Sequence, residues 1–399
     1  MKSLFVLMTL FAVSHGKSYD GYQVFEITPK TGIQFQQMMD LDMELFDDLD
    51  FLKTSAVGKP SKVIVPPMHV DKLKEALEEL RIEFEVYIDN LQPLIDEETR
   101  AITSREKATT LASFDYNVYH SAQEILDWVT DFSQTESTSS LTIKEIYLGD
   151  SAEGFAMKAL KISTGSGRLG AYTQGGLHGR EWIAPATVLN LVQKFVAAFK
   201  SGDSVATQFF NKFDWYVLPL LNPDGYHYTR PESPSFDRLW RKNRQQVSSF
   251  CKGIAMNRNY GYKWGGDDTS SNPCSEIYKG GYAYEAQELK LMTDWLLSLK
   301  KSQTFMIHMD LHSYGQDWFY PYSYTSSIAT SDDAELVDPA AGASTDFGYE
   351  ILGATYSYTV EMRDTGHYGF ELPENQIEPC AEEMYAAFIE LFSQVLSKV

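Results

Sequence analysis

The spacing of apolar positions divides the chain near residue 114. Over residues 19–98, stretches with a two-residue period alternate with stretches of helical period. This pattern predicts a small α/β sandwich over residues 17–98, with the acidic run at 40–50 as a solvated face. The expected elements are strands at 22–27, 61–66 and 82–88 and helices at 32–46 and 71–80.

Longer helices alternate with continuous apolar strands from Phe114 onward. Strands that are apolar at every position are typical of sheets buried on both faces, and their alternation with helices indicates parallel neighbours. We therefore predict an α/β fold over residues 108–399, with a mixed, mostly parallel sheet covered by helices on both faces. Its strands are expected at 169–174, 215–221 and 304–311, and its helices at 185–199 and 285–299.

A polar segment joins the two regions. Residues 97–107 contain few apolar side chains and include Arg100, Arg105 and Lys107. This composition predicts a linker over residues 99–107. Each of the three basic residues is a site that a trypsin-like protease can cut.

The first residues have the order of a secretory signal. Lys2 precedes the apolar run 4–13, and the small residues Ser14 and Gly16 follow it. A buried strand is the alternative interpretation, but a charge before an apolar run at the start of a chain favours a signal peptide over residues 1–16. No later stretch of the sequence reaches the ~18–20 apolar residues of a membrane span. The protein is therefore expected to be secreted, with no membrane partner.

Composition and charge restrict the classes of function. Apolar residues make up 43% of the chain and charged residues 22%, as in a soluble globular protein. The net charge of −21 argues against nucleic acid as a partner, because a polyanion binds clustered Lys and Arg that replace its counterions.

The odd number of cysteines predicts one disulfide and one thiol in an oxidising compartment. Cys251 and Cys274 flank a loop rich in Gly, Asn, Asp and Ser, so they are the expected pair. Cys380 is expected to remain a partly buried thiol, because unpaired cysteine behaves as a small apolar residue.

Two histidines and a glutamate have the spacing of a metal site. His178 follows an apolar strand, Glu181 lies three residues on, and His312 ends another strand. Because ligands of open α/β sheets lie beyond the carboxyl ends of strands, the three side chains are expected to meet there. Two imidazoles and one carboxylate leave zinc an open position for water, which predicts a metallohydrolase. The spacing His-x-x-Glu alone is a weak motif.

Seven short motifs strengthen this interpretation. They are 175–182 (GGLHGREW), 222–226 (NPDGY), 238–241 (RLWR), 257–259 (NRN), 273–276 (PCSE), 312–314 (HSY) and 361–366 (EMRDTG). With these motifs in this order, the chain from residue 114 onward resembles the pancreatic-type zinc carboxypeptidases, the carboxypeptidase A/B family, and is closer to carboxypeptidase A. Residues 17–98 resemble the inhibitory activation domain of that family.

The resemblance implies a role for each matching residue. His178, Glu181 and His312 match the ligands of one zinc ion. Glu361 matches the general base, and Arg241 matches the cation that polarises the scissile carbonyl and stabilises its oxyanion.

Further matching residues would bind the substrate. Asn257 and Arg258 match the clamp for the terminal carboxylate, which suits the planar fork of arginine. The neighbouring subsites and the floor of the specificity pocket match Arg180, Tyr314, Thr345 and Phe370. The resemblance thus implies a zymogen, active as a monomer on peptide and protein C-termini after cleavage by a trypsin-like protease.

Ala255 departs from the family pattern. The family has an aspartate there that orients the first zinc histidine, here His178. Loss of such a partner typically costs about 10–100-fold in metal affinity or activity. Asp310, close to His312 in sequence, substitutes for it only if the geometry allows.

A second departure is a shortened segment near residues 336–339. About sixteen residues separate Tyr322 from Pro339, and roughly 25 residues of the family pattern are missing, the size of one helix and one strand. Asp338 replaces the tyrosine that closes over bound substrate in the family. Either a shortened isoform or an error in the gene model accounts for this.

The residues at the pocket floor bear on substrate preference. Thr345, Thr359 and Ala340 are neutral, which favours apolar or aromatic C-terminal residues. Asp338 and Asp346 lie close enough in sequence to leave a basic preference open.

Two alternatives to an active enzyme remain open. Ala255 and the missing tyrosine motivate an impaired paralogue that binds zinc or C-terminal peptides without efficient turnover. The presence of Glu361 and Arg241 beside all three metal ligands argues against it, because a pure binder needs neither. The other alternative is a shortened chain that does not fold stably.

Overall fold

The computed structural model describes residues 16–45, 49–53, 57–105, 107–108, 110–325 and 340–398. The expected signal peptide, except Gly16, and the junction at 336–339 lie outside these ranges. Among the helices of the described part, none is long and apolar enough to cross a membrane.

The N-terminal domain is an antiparallel sheet with two helices. Its strands are β1 (Gln23–Thr28), β2 (Asp50–Lys53), β3 (Ser61–Val65) and β4 (Glu83–Ile88), and its helices are α1 (Gly32–Leu45) and α2 (Val70–Glu79). The described strands pair in the order β2-β3-β1-β4. The predicted α/β sandwich is confirmed, while β2, within and after the acidic run, was not expected.

The two faces of this sheet have different partners. Because side chains alternate along a strand, Phe25 and Val63 point to the face that α1 and α2 cover. Val24 and Ile64 point to the other face, where they pack against Tyr314 of the second domain. The N-terminal sheet is therefore buried on both faces.

The segment predicted as a linker begins as a helix. Helix α3 (Gln92–Thr103) extends five residues into the range 99–107. Ile95 and Ile102, two turns apart, are both buried, and this apolar stripe explains why the segment is helical. The prediction of a linker is wrong for residues 99–103.

The second domain contains a mixed sheet. Its described strands pair in the order β10-β11-β9-β7-β8-β6-β5. The central four are parallel, and the outer three pair antiparallel. The bounds are β5 (Thr142–Asp150), β6 (Ala156–Ser163), β7 (Leu169–Gly175), β8 (Phe213–Leu218), β9 (Phe305–Ser313), β10 (Asp317–Phe319) and β11 (Tyr356–Met362).

Helices cover both faces of this sheet, as predicted. One apolar core lies between the sheet and helices α4, α5, α6 and α10, and the other lies beneath α8. The helices are α4 (Ala122–Thr135), α5 (Ile183–Ser201), α6 (Ser204–Lys212), α7 (Pro223–Tyr228), α8 (Gln287–Lys300), α9 (Ser344–Asp346) with a π-helical continuation (Phe347–Leu352), and α10 (Ile377–Leu396). Short 3₁₀ turns occur at Pro67–His69, Leu111–Ser113, Met256–Arg258 and Glu374–Gln376.

The cysteines are arranged as expected. Cys251 and Cys274 form a disulfide with their Cα atoms 5.2 Å apart. Cys380 in α10 is an unpaired thiol. It is fully buried rather than partly buried, and burial raises its pKa to about 11, so it is an unreactive part of the core.

Candidate metal centre and active site

His178 and Glu181 lie in the connection between β7 and α5. Gly179 between them lies so close to helix α7 that a Cβ atom on residue 179 would be 2.6 Å from the backbone of Gly225. A side chain at 179 would therefore displace the ligand pair, which explains the glycine. His312 lies near the end of β9, and β9 is hydrogen-bonded to β7. Sheet pairing thus brings the three side chains to one edge, as predicted.

The three side chains form a compact donor set. His178 Nδ1 lies 2.6 Å from Glu181 Oε1, and His312 Nδ1 lies 2.9 Å from Glu181 Oε2 and 3.1 Å from His178 Nδ1. They are the group of His, Cys, Asp and Glu that could hold a metal ion within the described residues. Two imidazole nitrogens and a carboxylate converging in a buried site suit zinc.

The electrostatics of the centre favour a metal cation. Burial, followed by the guanidinium of Arg241, lowers the pKa of His178 to about 3, so this ring is in the neutral form that binds metal. Burial raises the pKa of Glu181, but the two histidines outweigh burial and hold it below its usual range. The glutamate is therefore ionised, and a buried carboxylate of this kind needs a paired or bound cation.

The two histidines differ behind the donor set. His312 Nε2 lies 3.0 Å from Asp310 Oδ2, so Asp310 faces the second histidine and does not replace the missing partner of His178. His178 Nε2 is buried and has no hydrogen-bond partner among the described residues. Ala255 is fully buried and offers only a methyl group.

Glu361 lies beside the metal ligands because of strand register. It is paired with His312 across the parallel strands β11 and β9. Its Oε2 is buried without a hydrogen-bond partner in the described part of the chain. Burial foremost, with the charge of Glu181, raises the pKa of Glu361 to about 8, against the opposing charges of His312 and Arg241. A carboxylate in this environment readily accepts a proton.

Arg241 is the candidate for stabilising an oxyanion. Its Nε is buried and has no partner in the described ranges. Burial and the charges of Arg180 and Arg258 lower its pKa to about 10. The residue thus remains cationic at neutral pH while its own donors stay available.

Asn257 and Arg258, in the 3₁₀ turn Met256–Arg258, have partners that sequence reasoning missed. Arg258 donates from Nε to Asp268 O at 2.8 Å and also pairs with the Asp268 carboxylate. Asn257 Oδ1 accepts from Ser344 N at 2.9 Å. These contacts orient both side chains, although nothing in the local sequence around Asp268 indicates its pairing.

The neighbouring subsites are in contact with the N-terminal domain. Arg180 lies over the ring of Phe370, 4.4 Å from its centroid, and Tyr314 packs edge-on against Phe370 at 5.1 Å. Arg180 Nη1 donates to Asp50 Oδ2 at 2.5 Å. Asp50 ends the acidic run that the sequence predicts to face solvent, and this prediction is wrong at Asp50, whose side chain is only 21% exposed.

The pocket floor is neutral. Thr345 Oγ1 and Thr359 Oγ1 are hydrogen-bonded at 2.6 Å and are buried. Asp346, which leaves a basic preference open in the sequence, accepts from the backbone N–H of Ser323 at 2.8 Å and of Tyr324 at 3.0 Å. Its carboxylate is thus engaged by a loop. Asp338 lies outside the described residues.

This site and fold define a class of protein. A buried donor set of two histidines and a glutamate lies at the carboxyl edge of an α/β sheet, beside a glutamate that can take a proton and a cation that can stabilise an oxyanion. The combination is that of a metal-dependent hydrolase.

Comparison with known proteins makes the assignment specific. Residues 125–338 and 331–387 match the zinc carboxypeptidase family, Peptidase_M14, and residues 25–98 match the carboxypeptidase activation peptide. The two matched segments of the enzyme domain break where the sequence predicts missing residues. The chain belongs to the zinc carboxypeptidase family and carries its activation peptide.

Relatives resemble the chain over nearly its whole length. It is 33% identical to carboxypeptidase A4 of Mus musculus over 411 residues, covering 94% of each chain. It is 32% identical to carboxypeptidase A1 of Bos taurus over 431 positions, covering 100% of each. The crystal structure of thrombin activatable fibrinolysis inhibitor (TAFI) matches with a TM-score of 0.78 at 29% identity, covering 94% of this chain and 99% of that one. These relatives confirm the resemblance to carboxypeptidase A.

Proposed function

We propose that this protein is a secreted, monomeric zymogen that, after cleavage, removes single C-terminal residues with apolar or aromatic side chains. That it is a zinc carboxypeptidase with an activation peptide follows from the family. The observation that carries the proposed chemistry is the convergence of His178, Glu181 and His312 beside Glu361, whose Oε2 has no hydrogen-bond partner among the described residues. Secretion is supported by the order of residues 1–16 and by the disulfide.

Each residue of the cleft has a step in the proposed mechanism. His178, Glu181 and His312 would hold a zinc ion, which would supply a Lewis acid and lower the pKa of water. Asn257 and Arg258 bind the C-terminal carboxylate of the peptide.

The chemical step then uses two further side chains. Glu361 takes the proton of the attacking water at its carboxylate and returns it to the leaving amine. Arg241 donates to the carbonyl oxygen as negative charge develops there.

The substrate preference is inferred from the pocket floor. Thr345 and Thr359 share one hydrogen bond between their hydroxyl groups, and neither side chain carries a charge. Asp346 is engaged by backbone N–H groups of the loop at 323–324. An uncharged floor therefore suits an apolar or aromatic side chain, whereas a basic side chain would find no available carboxylate among the described residues of the floor.

The function is tested with short blocked dipeptides after trypsin treatment. We expect release of C-terminal Phe or Leu, at least 10-fold faster than release of Arg or Asp, and loss of the activity with o-phenanthroline. Dipeptides of the same sequence with an amidated C-terminus serve as matched controls, because they lack the carboxylate that Asn257 and Arg258 bind. Folded, zinc-loaded and cleaved protein that releases none of these residues would refute the proposal.

The contacts of the N-terminal domain support latency before cleavage. Asp50 covers Arg180, and Glu98 in α3 forms an ion pair with Arg238 at 2.5 Å. Lys62 donates to the carbonyl oxygen of Gly366 at 2.5 Å. These contacts hold the N-terminal domain against Arg180 and its neighbours, which we propose as substrate subsites, and this supports latency until the domain leaves.

Cleavage is proposed to occur at Arg105 or Lys107 rather than at Arg100. Arg100 lies inside α3, and proteases cut extended rather than helical chain. Arg105 is outside the helix but paired with Glu374 at 2.7 Å, whereas Lys107 is exposed. Lys107 is therefore the favoured site.

Replacing Asp50 by asparagine tests whether the contact between Asp50 and Arg180 holds the N-terminal domain in place. Asparagine keeps an acceptor for Arg180 but removes the charge, so the N-terminal domain is expected to dissociate after cleavage about 10-fold faster, or about 1.4 kcal/mol. Surface plasmon resonance between the separated domains measures this. Asp40→Asn in α1 is the control, since its carboxylate accepts from Gln36 of the same helix. Equal dissociation rates of the two variants would contradict this role of Asp50.

An impaired paralogue is the second candidate. The unpartnered Nε2 of His178 favours it, because a loosely held ligand weakens metal binding. Calorimetry that shows zinc-dependent peptide binding by cleaved protein without turnover would support this alternative. A thermal melt with and without zinc separates both functions from a chain that does not fold stably.

A further inference from the structure

Strand β9 places three polar side chains in one buried row. His308, Asp310 and His312 are separated by two residues each, so they point to the same face of the sheet. The intervening Ile307, Met309 and Leu311 belong to the apolar core on the opposite face. All three polar residues are fully buried. A buried aspartate is costly unless a partner compensates for its charge, so its place in this row requires an explanation.

The partner of Asp310 is a metal-ligating histidine. Asp310 Oδ2 lies 3.0 Å from His312 Nε2, while His312 Nδ1 faces the other ligands. A metal ion binds the deprotonated nitrogen, so a ring that ligates through Nδ1 carries its proton on Nε2. The Asp310 carboxylate lies beside that nitrogen as an ion-pair contact rather than as a hydrogen bond of regular geometry, and its negative charge favours the tautomer with the proton on Nε2.

His308 does not explain why an aspartate is buried at position 310. Its Nδ1 lies 3.3 Å from Ser357 Oγ, so it has a partner on β11. Ser357 Oγ in turn donates to Thr345 O at 2.7 Å. The row thus holds two histidines with separate partners, of which only His312 belongs to the metal centre.

The other metal-ligating histidine has no equivalent support. His178 also presents Nδ1 to the donor set, and its Nε2 has no hydrogen-bond acceptor within the described residues. Its orientation is left to Glu181 and to packing. The two imidazoles of the centre are therefore held unequally.

We propose that Asp310 is the positioning residue of the metal centre, because its carboxylate lies beside Nε2 of His312, whereas Nε2 of His178 has no partner among the described residues. The inference rests on the proposed function insofar as the metal is zinc. In this role Asp310 neither contacts substrate nor transfers a proton during the reaction.

Zinc affinity of the metal-free protein tests this directly. Asp310→Ala is expected to raise the zinc dissociation constant about 10–100-fold, measured by competition with a chromophoric chelator. Asp310→Asn keeps the shape and an acceptor for Nε2–H, so it should recover most of the lost affinity. The visible spectrum of the cobalt-substituted protein should shift in Asp310→Ala and resemble the native spectrum in Asp310→Asn.

Ser357→Ala is the matched control. It removes the partner of the other buried histidine in the same row without touching a metal ligand, so its zinc dissociation constant should remain within about 2-fold. Circular dichroism and thermal melts of the metal-free variants verify the fold, and the isosteric Asp310→Asn carries the test if Asp310→Ala does not fold. Unchanged zinc affinity in the Asp310 variants, or an equal loss in Ser357→Ala, would overturn the proposal.

The same measurements separate this inference from the proposed function. Zinc binding is measured without turnover, so native protein that binds zinc through Asp310 but hydrolyses nothing would refute the peptidase alone. Native protein that is active and keeps its zinc affinity in Asp310→Ala would refute the positioning role alone.

Discussion

Replacing Glu361 by glutamine is expected to lower kcat by about 1,000-fold while zinc binding is retained. The change keeps the size of the side chain but removes its ability to accept a proton. Glu361 lies beside His312 through strand register, and its Oε2 has no competing partner among the described residues. Burial raises its pKa to about 8, so its carboxylate is a stronger base than an ordinary exposed glutamate.

Turnover of a blocked dipeptide by the cleaved variant, together with its zinc content, measures this. Glu350→Gln is the control, because Glu350 is an exposed acid that accepts from Tyr322 Oη at 2.5 Å. The control should keep native kcat. A Glu361→Gln variant with kcat within 10-fold of the native value would exclude Glu361 as the general base.

Replacing Arg241 by methionine is expected to lower kcat by about 100–1,000-fold, equivalent to about 2.7–4 kcal/mol of transition-state stabilisation. Methionine retains much of the apolar stem but cannot donate to an oxyanion. Because the developing charge exists only in the transition state, KM should change much less than kcat. Steady-state kinetics of the cleaved enzyme separate the two constants.

Arg244→Met is the matched control for this change. Arg244 lies three residues after Arg241, with its guanidinium 3.5 Å from the ring centroid of Tyr228 and 3.7 Å from Glu153. Its side chain is mostly buried but is not among the proposed catalytic or metal-binding residues, so the variant should keep native kcat. If Arg241→Met raised KM with native kcat, the residue would act in substrate binding rather than in catalysis.

Much of the site was predictable from local sequence. Glu181 follows His178 at a spacing that is set within one short connection, and His312 ends an apolar strand. In a parallel sheet, strand ends meet at one edge, so the convergence of these residues follows from the order of strands and helices alone. Glu361 was identified by its motif, and its pairing with His312 across β9 and β11 explains why that motif occurs in that strand.

Partners that lie far apart in sequence were not predictable. In the sequence Asp50 belongs to a charge run, and only the docking of the N-terminal domain brings it to Arg180. Asp268 carries no motif, yet it orients Arg258. A carboxylate on a loop has no periodicity that indicates its partner, since ion pairing depends on distances set by the whole fold.

The errors in secondary structure have a similar cause. Residues 99–103 are polar enough to predict a linker, but Ile95 and Ile102 are buried together and stabilise α3. The three-residue strand β10 is too short for a periodic signal, and it exists because β11 offers it hydrogen-bond partners. Packing outweighs propensity in such short elements.

The sequence by itself determined the class of fold, the three candidate metal ligands and the disulfide, because each depends on residue type and on spacing within or between neighbouring elements. Only the tertiary structure decided how the ligands are supported: Asp310 contacts His312, while His178 Nε2 has no acceptor in the described residues. It also decided that Asp50 contacts Arg180 and that Asp346 faces a loop. These contacts join residues from separate elements, and their distances exist only after the sheets and helices have packed.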